Sequence, residues 1–247
     1  MIPTADYEYL RYNTQYVFAD SHLHMTDPEF CNGYRDIHLA ELLFSNTSTP
    51  GEFTALRDIA SKDDRVVPFY GTHPWFLDRY DPIALKSILD SDSGANIGEI
   101  GLDSKHGDVS EQIPVFIEQL DIAQEYDRIV SIHMVGTEEH VLRELRKRKM
   151  RCILHSYSSP EGYTEPFVRC GCFFSISPRL FSRPAEKVSR ILRSIPIDRI
   201  LMETDHPSGK KDVSIHDLAE WIGQPIGIEA NEVMELTLRN AHRILIG

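Results

Sequence analysis

The feature that most constrains this chain is a rhythm of eight short apolar runs, separated by longer stretches of mixed polarity. The runs fall at residues 16–21, 42–47, 66–70, 96–101, 129–133, 152–155, 172–177 and 199–204. Most lack the apolar–polar alternation of a strand with one wet face, as strands buried on both faces of a parallel sheet do; the second and seventh are less clean. Helical periodicity fills the intervals. Phe116, Leu120 and Ala123 share a face over residues 115–125, Val141, Leu142 and Leu145 share one over 138–149, and residues 230–245 form another helix. Strand–helix alternation of this kind in 247 residues predicts a single TIM-type (β/α)8 barrel over residues 16–247. Residues 1–15 precede it as an N-terminal extension, either capping the bottom of the barrel or forming a mobile arm, with an unusual density of tyrosines at Tyr7, Tyr9, Tyr12 and Tyr16.

The polar residues that need explaining recur at one place in each unit, at or just after the strand's C-terminal end, where a barrel of this type builds its active site. His22 and His24 follow the first run, and an i, i+2 pair in extended chain points both imidazoles the same way. Glu99 is embedded in Asn96-Ile97-Gly98-Glu99-Ile100-Gly101, where a carboxylate is costly unless paired or bound to a cation. His133, His155 and Asp205 each terminate an apolar strand. Singly, each suits a hydrogen-bonded core histidine or a capping aspartate. Six nitrogen and oxygen ligands at one end of one barrel instead predict a site for divalent metal. His73, in Gly71-Thr72-His73-Pro74, lies at the end of the third strand, where it either contacts substrate or packs.

Charge limits the partners. The formal net charge of −12 excludes a protein that holds nucleic acid by diffuse basic charge alone, so any phosphate must be met locally, and metal ions supply local positive charge. Cys31, Cys152, Cys170 and Cys172 lack C-x-x-C spacing and read as free thiols. With no signal-like segment and no apolar run of spanning length, the expectation is a cytoplasmic protein without membrane contact.

Taken in order, Asp20-Ser21-His22-Leu23-His24, Gly71-Thr72-His73-Pro74, Gly98-Glu99-Ile100-Gly101-Leu102-Asp103, Ile132-His133, Leu154-His155-Ser156-Tyr157-Ser158 and Glu203-Thr204-Asp205-His206-Pro207 resemble the TatD family of metal-dependent deoxyribonucleases, within the amidohydrolase superfamily. The likeness runs from about Phe18 to Ile246. It implies two divalent ions (Zn, Mn, Mg or Ni), with His22, His24 and Asp205 on one, His133 and His155 on the other, and Glu99 bridging. Two features depart from the family's pattern. Val135 stands where an arginine usually follows the Ile-His, and Ser208-Gly209-Lys210-Lys211-Asp212 replaces an Arg-Asn-x-Pro element.

The expected chemistry is attack by a metal-activated water, with Asp205 as general base and Glu99 as the other catalytic carboxylate. The resemblance implies DNA ends or oligonucleotides as substrate. Lys105, Arg179, Arg183, Lys210 and Lys211 would then meet phosphates, and Trp75 and Phe76 would stack on a base or form a lid. The alternatives are a hydrolase of a small amide, lactone or phosphoester, and a non-catalytic metal-binding barrel serving as a partner protein.

Overall fold

The computed structural model describes residues 17–30, 34, 36–209 and 213–247. The expected extension over 1–15, Tyr16, Cys31 and the substrate-binding candidates Lys210 and Lys211 lie outside the described residues.

All eight predicted strands are present: β1 (Phe18–Leu23), β2 (Ala40–Asn46), β3 (Val66–Tyr70), β4 (Asn96–Asp103), β5 (Val130–Val135), β6 (Cys152–Leu154), β7 (Cys172–Ile176) and β8 (Ile200–Met202). Each pairs in parallel with the next in chain order, from β1 to β8. Backbone bonds from Asp205 N–H to the His22 carbonyl (3.0 Å) and from His24 N–H to the His206 carbonyl (2.9 Å) link the chain after β8 to β1. The ring so formed is the expected (β/α)8 barrel. Among the described residues its helices are α1 (Phe53–Ala60), α2 (Pro82–Ser91), α3 (Val109–Glu125), α4 (Glu138–Leu145), α5 (Thr164–Arg169), α6 (Ala185–Ser194), α7 (Ile215–Ile226) and α8 (Ala230–Ile246). Helix α4 stops four residues before the predicted 149, where the Arg148 guanidinium donates to the Glu144 carbonyl of the last turn at 2.9 Å.

Period-two alternation divides each strand between two cores. One set of side chains packs outward against the helices, including Leu43, Leu154, Phe174, Ile200 and Met202. The other fills the lower barrel interior: Ala19, Phe44, Phe69, Ile153, Phe173 and Leu201, closed from beneath by Ala241 and Ile244 of α8. Two residues further along each strand the interior turns polar. Ser21 bonds Ser175 across the barrel, Ser131 meets His22, and a methyl group on Gly98 would collide with Asn46 and Ser131. The dry lower layer thus supports a polar upper one, which is where the site lies.

Candidate active site

Glu99 is the hub. Its Oε2 lies 3.4 Å from His22 Nε2 and 3.3 Å from His24 Nε2. Its Oε1 lies 2.9 Å from His133 Nδ1, 3.5 Å from His73 Nε2 and 3.7 Å from His155 Nε2. Asp205 Oδ1 is 4.0 Å from His24 Nε2. The six predicted ligands therefore converge, all but His133 buried, and His73 joins them. Asp205 holds a left-handed backbone at φ +54°, a conformation a non-glycine residue adopts only where surrounding contacts impose it.

The imidazoles are oriented from behind. His24 Nδ1 lies 3.1 Å from the Asn46 carbonyl, which can only accept, so Nδ1 carries the proton and a neutral ring turns the lone pair of Nε2 toward His22 and Glu99. His155 Nδ1 faces Glu203 Oε1 at 2.9 Å, and that carboxylate also accepts the Ser156 N–H. His133 Nε2 faces Asp103 Oδ2 at 3.1 Å, and the same oxygen accepts the Trp75 indole N–H at 2.9 Å. His22 Nδ1 pairs with Ser131 Oγ at 3.1 Å. The nitrogens left over point at one another and at Glu99, with His22 Nε2 and His24 Nε2 only 3.2 Å apart. Lone pairs gathered around a buried carboxylate, each ring fixed by a carboxylate, hydroxyl or carbonyl behind it, form a donor set that fits a divalent cation. Three groupings of cation size result: His22, His24 and Asp205; His22, Glu99 and His155; His73, Glu99 and His133. The first matches the implied set, whereas His133 and His155 fall in different groupings that share Glu99.

Protons and cations compete for these nitrogens. Burial alone would lower His155, but the carboxylates of Glu203 and Glu99 outweigh it and raise it to about 10. His24 and His133 also rise against their burial, through Glu99 and, for His133, Asp103. Burial dominates at His22 and His73, which fall. Burial works against an ionised Glu99, yet His73, His155 and His22 hold it well below the usual carboxylate range.

Four partners escaped the sequence reading: Glu203, Asp103, Ser131 and the Asn46 carbonyl. Glu203 carried a signal, since it is a charge directly after the apolar Ile200-Leu201-Met202. Asp20 is another such support, raised to about 6 by burial despite hydrogen bonds from Thr204, Tyr34 and the His22 N–H. It ties β1 to the segment after β8 beneath the site.

Above the cluster opens a cleft of about 810 Å³, rimmed by Trp75, Lys105, His106, Arg179, Arg183 and Lys187. Arg179 donates from Nε to Asp205 Oδ2 at 3.0 Å and from its terminal nitrogen to the Ser208 carbonyl, which orients the carboxylate. Arg183 reaches Ser158 Oγ at 2.9 Å. Trp75 is 48% exposed and stacked on His106 at 4.8 Å, so one indole face is already engaged. Val135 lines the same cleft.

The comparisons with known proteins agree with this geometry. Residues 19–245 match the family model described as TatD related DNase. The chain is 26% identical to deoxyribonuclease TATDN3 of Homo sapiens, across 92% of this chain and 93% of that protein. It is 27% identical to the metal-dependent hydrolase YcfH of Escherichia coli K12, across 92% of this chain and 94% of that protein. The crystal structure of YjjV, a TatD homolog from E. coli K12, shares the fold with a TM-score of 0.81 at 20% identity, covering 92% of this chain and 97% of that one. With its eight-stranded barrel, its ordered motifs and a family match over nearly its whole length, the chain belongs to the TatD related DNase family.

Proposed function

We propose that this protein is a divalent-metal-dependent phosphodiesterase that hydrolyses DNA ends or oligonucleotides with an activated water as nucleophile. The observation that carries the proposal is the inward-turned set of imidazole nitrogens around Glu99, beneath a cleft whose rim bears Arg179, Arg183 and Lys105. The names of the human and bacterial relatives support the same class of reaction. His22, His24 and Asp205 would hold one cation and, as the family resemblance implies, His133 and His155 a second, with Glu99 serving both and His73 beside it. Such cations acidify water and neutralise charge on a phosphoryl oxygen. The chain's own part is orientation and proton transfer. Glu203 and Asp103 fix two imidazoles, Arg179 turns Asp205 so that Oδ1 faces the site, and that oxygen takes the proton of the attacking water and returns it to the leaving alkoxide. Lys210 and Lys211, which follow β8 in the sequence, would add phosphate contacts, and Trp75 offers its free indole face to a terminal base.

Asp205→Asn tests the assignment. It keeps the side chain's size while removing the proton acceptor, so turnover should fall by roughly 10²-fold to 10⁴-fold with the fold intact by circular dichroism. Near wild-type turnover with metal bound would remove Asp205 from the mechanism. Val135, an apolar residue in the cleft, favours a second reading, hydrolysis of a small phosphoester. Comparing Lys210→Ala, Lys211→Ala on an oligonucleotide and on bis(p-nitrophenyl) phosphate separates the two: KM should rise for the oligonucleotide alone.

A further inference from the structure

At the opposite end of the barrel from the cleft lies a second cavity, of about 890 Å³. It opens beside the N-terminal ends of β6, β7 and β8, where Arg151, Gly171 and Arg199 immediately precede those strands. Seven of its lining side chains are Arg or Lys, and among the described residues Asp127 is the one acidic side chain in the lining. That concentration occurs in a chain of net charge −12. Several of the cations have structural duties. Arg148 pairs with Asp121 and Glu144, Arg151 caps the carbonyls of Ile244 and Leu245, and Arg243 pairs with Asp198. Arg146 and Lys149 do not: both are exposed, and neither side chain has a hydrogen bond or ion pair among the described residues. The floor is apolar, built from Met150, Phe173 and Ile244, and the Arg199 guanidinium lies 4.8 Å over the Phe173 ring.

We propose that this cavity binds a nucleoside monophosphate, with its phosphate between Arg146 and Lys149 and its base over the floor beside Arg199. Charge complementarity supports the choice, because two cationic side chains without partners among the described residues match a phosphate dianion and hold it by charge-assisted bonds. Size supports it too, since the volume falls within the roughly 300–1,000 Å³ of small-molecule sites, and an apolar floor with a few convergent polar groups is their usual lining. The cavity is remote from the metal cluster and belongs to no part of the hydrolytic reading, so the two stand or fall separately.

Cys170, half-buried in the wall of this cavity, reports on it directly. The metal-loaded protein is treated with N-ethylmaleimide, with and without deoxyadenosine 5′-monophosphate, and modification of Cys170 is followed by peptide mass spectrometry. The nucleotide should slow that modification, while deoxyadenosine or inorganic phosphate at the same concentration should not. Arg146→Glu, Lys149→Glu should abolish the protection and weaken nucleotide affinity by about tenfold or more, while hydrolysis of bis(p-nitrophenyl) phosphate stays unchanged. Both substitutions fall on exposed side chains without partners among the described residues, and unchanged hydrolysis verifies the fold. Absent protection, protection that persists in the charge-reversed protein, or equal protection by phosphate alone would overturn the proposal.

Discussion

At the scale of single residues, the candidate ligands depend on groups set behind them, some of which do not line the cleft. Glu203 is the clearest case, because it faces His155 Nδ1 and so fixes which nitrogen is left for a cation. Glu203→Gln preserves the shape and removes the charge, so affinity for a divalent ion should fall by about 10-fold to 100-fold with little change in fold. A chelator-competition titration measures it, and unchanged affinity would reduce Glu203 to packing. The pH dependence has a definite sign. His155, raised to about 10, carries a proton at neutral pH that a cation must displace, so affinity should rise with pH through the neutral range and binding should release protons. Calorimetry in buffers of different ionisation heat detects that release; heat independent of the buffer would contradict it. The candidate ligands themselves were legible because each is a polar residue at the end of an apolar run or, like Glu99, embedded in one. Their supports were not, since Asp103 and Glu203 become partners only when strands distant in sequence are brought together.

Among elements, the eight strands were legible from their apolar runs, but their ends and irregularities were not. β1 runs two residues beyond the predicted 21, and β5 two beyond 133, so His22 lies inside a strand rather than after it and His133 inside one rather than at its end. Strict alternation from the inward Ala19 and Ser21 would turn His22 away from the interior. The β1–β2 register shifts between Asp20 and Leu23, and β4–β5 shifts between Ile97 and Ile100. Such irregularities re-aim side chains, here His22 and Glu99, and no periodicity argument anticipates them. Close approach of strands does the rest. At Gly101 a methyl group would run into the His133 carbonyl, because the two residues are register partners. Gly101→Ala should therefore cost about 1–3 kcal/mol in denaturant unfolding and displace His133, weakening metal binding in parallel. A variant of unchanged stability would mean that β4 and β5 can separate there freely.

The whole molecule is an acidic body with positive charge gathered at two ends of one barrel, the cleft rim and the basal cavity. This arrangement makes a quantitative claim about the proposed substrate. Long-range attraction to a polyanion is weak in a protein of net charge −12, so productive binding rests on a few local phosphate contacts. If Lys105, Arg179 and Arg183 each neutralise one phosphate of a single strand, log(kcat/KM) should fall against log salt with a slope of about −2, at about −0.7 per contact. Arg183, whose guanidinium donates to the neutral Ser158 hydroxyl, has no carboxylate partner among the described residues and is available for such a contact. Arg183→Ala should make the slope shallower by about 0.7 and leave metal content unchanged. A steep slope, typical of many contacts, would imply a larger basic surface than the described rim provides. A slope near zero would mean that the rim meets no phosphate beyond the scissile one, and the small phosphoester would then be the better reading of the same metal site.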